Sequence, residues 1–100
     1  MRKILFVIMM TITSSVFAGF VDGNKIYNGL ISGDTTDILM SNYYIFGVVD
    51  TRFTKCIPGD VQGSQVFDVV KNYLSRNPEK RQYLASSLIE NAIREKFNCK

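Results

Sequence analysis

The chain contains no histidine, and that absence removes the base on which serine and cysteine nucleophiles ordinarily depend. Carboxylates such as Asp34, Asp37, Asp50, Asp60, Asp68, Glu79, Glu90 and Glu95 are present. They share no motif spacing, and solvated faces account for most of them. Asp50 follows a strongly apolar run, so partial burial and a structural hydrogen bond are expected of it. No glycine-rich phosphate loop, EF-hand loop or metal-ligand cluster occurs. Cysteine appears twice and without Cys-x-x-Cys spacing, and proline appears twice. No apolar run reaches the ~20 residues needed to cross a bilayer. These absences argue against an enzyme and against a metal or other cofactor.

What is present begins with a leader. Arg2 and Lys3 precede the uncharged run Ile4 to Met10, and Val16-Phe17-Ala18 closes it with a small residue. This is the pattern of a secretory signal peptide cut after Ala18. Cleavage leaves one small domain, residues 19–100, with little room for a buried cleft. Losing Arg2 and Lys3 also lowers the formal charge from +3 to +1. So small a charge gives no electrostatic case for nucleic acid or for an anionic membrane.

Cys56 and Cys99 are an even pair in a chain predicted to enter an oxidising compartment, where a disulfide is the usual outcome. A metal site or a redox pair is the alternative, and two sulfurs without histidine or close spacing make a poor version of either.

The mature part reads as four helices of one compact domain. Asp22-Gly23-Asn24 offers caps for a helix over Lys25 to Ile31, and Gly33-Asp34-Thr35-Thr36 breaks it. A second segment, Asp37 to Phe53, is helical by length and flanking caps. Tyr44 to Val49, rich in aromatic and β-branched residues, could by itself be a strand. Cys56-Ile57-Pro58-Gly59-Asp60 is a break. Val66, Phe67, Val69, Val70, Tyr73 and Leu74 then mark one face of a third helix from about Gln62 to Arg76. Asn77 followed by Pro78 gives an N-cap and a first-turn proline for the last helix. Its apolar stripe falls at 84/85, 88/89, 92/93 and 97, with Lys80, Arg81, Glu90, Arg94 and Glu95 mostly outside it. Helical spacing assigns most tyrosines and phenylalanines to the core. Tyr83, beside the stripe, is the candidate for an exposed anchor.

Taken in order, Gly23-Asn24-x-Ile26, Gly47-Val48-x-Asp50, Cys56-x-Pro58, Val61, Gln65, Tyr73-Leu74, Asn77-Pro78, Arg81, Ala85, Leu88-Ile89, Ala92 and Phe97-x-Cys99 resemble the Rap/Tai family of type VI secretion immunity proteins. The Cys-x-Pro to Phe-x-Cys frame is the most specific part. The resemblance implies an exported, all-helical periplasmic protein, often a homodimer, that occludes the catalytic cleft of a peptidoglycan amidase delivered by competing bacteria. It also implies the Cys56–Cys99 disulfide. A second cysteine pair seen in many members falls here on Leu30 and Ser41, so the first two helices lack that staple. In relatives an inter-helix loop plugs the amidase. The corresponding candidates are Arg76, Asn77, Glu79, Lys80 and Tyr83 around the connection between the last two helices, an exposed link between rigid elements. The plainer alternative is that their charges only solvate the loop. Two other functions fit a signal peptide and a small helical fold with one disulfide: a periplasmic chaperone or acid-stress protein, and an inhibitor of another cell-wall hydrolase.

Overall fold

The computed structural model describes residues 21–99 apart from 54, so the predicted leader and its cut lie outside the described residues. Among the described residues there are four α-helices, one short 3-10 turn and a single isolated β-bridge. The helices are α1 (Gly23–Ile31), α2 (Thr35–Arg52), α3 (Gly63–Arg76) and α4 (Ala85–Phe97), with the 3-10 turn at Pro78–Lys80. None is long and apolar enough to cross a membrane.

Local chemistry sets most of the boundaries. The Asp22 carboxylate accepts the Lys25 backbone N–H at 2.9 Å, so α1 begins at Gly23, two residues before the sequence expectation. Asp34 does the same for the Asp37 N–H at 3.1 Å, and α2 begins at Thr35 instead of Asp37. Gly33 between them has φ +81°, the left-handed conformation that glycine adopts without strain. Gln62 donates its N–H to Gln65 Oε1 at 2.7 Å and opens α3. The segment Tyr44 to Val49 is helical, resolving its ambiguity.

The last boundary differs from expectation. Asn77 closes α3, and Pro78–Lys80 forms only a 3-10 turn before α4 starts at Ala85. The reason is tertiary. Residues 81–85 are drawn into antiparallel pairing with 21–24: Gly23 N–H donates to Tyr83 O at 3.0 Å, Asn24 N–H to Arg81 O at 2.8 Å and Ala85 N–H to Val21 O at 2.7 Å. A continuous helix would bond those groups internally and leave the chain's entry segment without partners.

The core gathers from all four helices. Ile45, Val70, Leu74, Ile89 and Ile93 are fully buried at its centre. Ala85, Leu88 and Ala92 complete the α4 face that the 84/85, 88/89 and 92/93 spacing predicts, while Leu84 is exposed. Cys56 and Cys99 are disulfide-bonded with Cα atoms 5.6 Å apart, fastening the end of α4 to the connection after α2. α1 and α2 meet through small residues instead. A Cβ at Gly29 would overlap Ser41 Oγ and lie 3.1 Å from Asp37 O. Leu30 and Ser41, the positions to which the resemblance assigns a second cysteine pair, are both buried. Asp50 is exposed, contrary to expectation, because it lies on the helix face opposite Ile45 and Val49. The half-buried carboxylate is Glu90, which bridges Arg52 of α2 and, at 3.7 Å, Arg94 one turn along α4.

Candidate partner-binding surface

The connection between α3 and α4 is built from its anchor outward. Arg81 donates from Nε to Leu74 O at 2.8 Å, occupying a carbonyl at the end of α3, and its guanidinium lies 4.0 Å from the centroid of the Tyr27 ring on α1. Its backbone oxygen receives the Asn24 N–H. One residue thus ties the loop to α1, to α3 and to the entry segment. Gly23 makes this approach possible, since a Cβ there would overlap Leu88 Cδ1 and lie 2.9 Å from Arg81 O. Asn77 secures the other end by donating Nδ2–H to Tyr73 O at 2.8 Å. Within the loop, Lys80 N–H bonds to Asn77 O at 2.9 Å and Tyr83 N–H to Lys80 O at 3.0 Å.

A short connection with both ends pinned presents its tip without large ordering entropy still to be lost. Glu79, Lys80 and Tyr83 are exposed on it, Tyr83 by 55%. Of the five candidates, these three share the loop. Asn77 is half-buried, and its amide serves as a cap. Arg76 turns toward α4, with Nη1 3.4 Å from Glu95 Oε2 and its guanidinium 5.8 Å from the Tyr73 ring centroid. It borders a shallow hollow with Asn72, Glu95 and Lys96.

A second surface has no counterpart among the sequence candidates. The outer side of α2 exposes Leu39 (44%), Met40 (67%), Tyr43 (65%) and Phe46 (41%). These residues follow the i, i+4, i+7 spacing of one helix face, opposite the buried Ser41, Ile45 and Val49. The sequence reading assigns most aromatics to the core; Phe53 is buried and Tyr44 packs against the core, whereas Tyr43 and Phe46 are exposed. The signal available was that α2 is apolar on two opposed stripes, a pattern that leaves one of them without an intramolecular partner. Beside α2 an open cavity of about 560 Å³ lies against α1, lined by Ile26, Gly29, Asp37, Met40, Ser41 and Tyr44 among others. Among the described residues no group of three or more histidine, cysteine or acidic side chains could hold a metal ion.

Comparison with known proteins gives one result. A family model described as Rap1a immunity proteins matches residues 22–99. Neither the curated proteins nor the solved structures contain a match.

Proposed function

Because the chain belongs to the Rap1a immunity proteins, it is a binding protein for a secreted effector, and we propose that this effector is a type VI peptidoglycan amidase neutralised in the periplasm. The reading takes the leader of residues 1–18 as a cleaved export signal. It treats Glu79, Lys80 and Tyr83 as the contact residues, with Asn77 and Arg81 holding the loop that carries them. The single observation behind it is that loop, polar, exposed and fixed at both ends by hydrogen bonds to α1 and α3. Such a tip can enter a concave active site and exclude substrate without chemistry of its own. The family's homodimer is part of the same reading.

The test is titration calorimetry of the purified, oxidised protein against type VI amidases, with amidase activity followed in parallel. The expected result is a tight complex with one of them and loss of its activity. Lys80→Glu then weakens binding by about tenfold, equivalent to about 1.4 kcal/mol, with the helical circular dichroism unchanged. Charge reversal without effect on affinity returns Lys80 to a solvating role. The exposed stripe on α2 supports a second reading, a chaperone that captures unfolded chains on apolar surface. Absence of any hydrolase partner, together with suppressed client aggregation at low pH, would decide for it.

A further inference from the structure

We propose that the groove between α1 and α2 takes an amphipathic helix of the effector, held by Lys25 at one end and by Asp37 at the other. This rests on the effector reading above and adds a second contact surface, with the chemistry of the segment that fills it.

The groove is lined from both helices at helical spacing. α1 contributes Lys25, Gly29 and Ser32, the i, i+4, i+7 positions of one face, and α2 contributes Asp37, Met40 and Tyr44, at i, i+3, i+7. Gly29 and the buried Ser41 meet at its floor, so close that a Cβ on Gly29 would overlap Ser41 Oγ. Short side chains at that contact leave about 560 Å³ open beside it. The walls are mainly apolar, and one side of the groove faces solvent. A small molecule lying there would keep one face in water, whereas sites for small ligands enclose most of the ligand's surface. A third helix laid along the two suits the shape, because its side-chain ridges run at the same spacings as the lining.

Charge sets what that helix carries. Lys25 and Asp37 are exposed, and among the described residues neither the ammonium nor the carboxylate is in an ion pair. Asp37 lies at the end where Ser32 leads into the turn, and Lys25 is about 10 Å from that end along α1 by the helical rise. The complementary segment has an acidic and a basic side chain two turns apart, with apolar residues between them facing Met40 and Tyr44.

The position of the groove points to the effector. Val21 lines it, and the Val21 carbonyl accepts the Ala85 N–H at the end of the connection that exposes Tyr83 and Leu84. Lys25 is joined to the same junction, since its N–H bonds to Asp22, the bridge partner of Leu84. A protein gripped by the loop therefore lies beside the groove, and contact there follows at high effective concentration.

The experiment is titration calorimetry of the purified, oxidised protein against the amidase that the titration above identifies, with Lys80→Glu, Lys25→Glu and Asn28→Trp. Lys25→Glu should weaken binding about tenfold. A glutamate in the first turn suits a helix N-terminus, so a fold defect does not account for the loss. Asn28 is exposed on the groove's lining, and Asn28→Trp should weaken binding by a similar factor by occupying the groove itself. Met40, 67% exposed, gives a readout on the unaltered protein: its oxidation by peroxide, followed by mass spectrometry, should slow when the amidase is bound. Reversing one acidic residue on a helix of the amidase should restore the affinity of Lys25→Glu. Wild-type affinity in Lys25→Glu and Asn28→Trp, with Lys80→Glu weakened and Met40 oxidised at its free rate, overturns the groove and leaves the loop reading standing. Failure of every amidase to bind overturns both. Rescue only by a residue outside any helix overturns the helical occupant. Protection of Met40 that rises with the concentration of this protein alone puts a second copy in the groove and overturns the proposal as well.

Discussion

Arg81 shows how much one side chain can carry when three elements converge on it. It satisfies Leu74 O, covers the Tyr27 ring and offers its own carbonyl to Asn24. A lysine can supply charge there but neither the planar stacking nor the Nε donor geometry. Arg81→Lys is therefore expected to lower stability by about 1–2 kcal/mol in urea unfolding, through a lost hydrogen bond and a weakened cation–π contact. Faster amide exchange at Gly23 and Asn24 should accompany it, because the loop that receives their protons is loosened. Gly23→Ala attacks the same junction by sterics. Its added methyl has no space between Leu88 and Arg81 O, and about 1–3 kcal/mol of destabilisation is expected from overpacking.

At the level of elements, the helices legible in the sequence are those whose ends are decided locally. Asp22, Asp34 and Gln62 are within three residues of the groups they cap or pair with, so their signals can be read from the chain itself. The start of α4 is not of this kind. Asn77-Pro78 carries the composition of a helix start, yet hydrogen bonds from residues 21–24 take over the backbone of 81–85. Nothing near Asn77 announces that competition. The outer face of α2 was hidden for a related reason: two apolar stripes can be recognised, but not which of them the rest of the chain covers. Sequence reading puts Glu79 and Lys80 on an exposed connection and Tyr83 exposed beside the stripe of the last helix; all three are exposed, and Tyr83 lies on the connection because α4 starts only at Ala85. The cap role of Asn77 and the turn of Arg76 toward Glu95 depend on where α3 ends. The disulfide acts at this scale too. It closes a separation of 43 residues, so Cys56→Ser with Cys99→Ser should remove about 4 kcal/mol on the chain-entropy account, measured by chemical unfolding. Exchange should rise first in the last turn of α4, which loses its tether.

For the molecule as a whole, the homodimer proposed with the immunity function would link stability to concentration. On that proposal the melting temperature is expected to rise as protein concentration is raised, by mass action on the folded state. Scanning calorimetry over a hundredfold dilution series reads it, and a melting temperature independent of concentration counts against the homodimer.

The clip between residues 21–24 and 81–85 has a consequence in time. A ribosome delivers Asn24 some 57 residues before Arg81, an interval of about 3–11 s at ordinary synthesis rates. Cys56 likewise waits for Cys99, 43 residues later. Through that interval residues 21–24 lack their final partners, so the nascent chain stays open at that junction until residues 81–85 have followed. A polypeptide that closes so late stays threadable for longer, which suits the export that the proposed function requires.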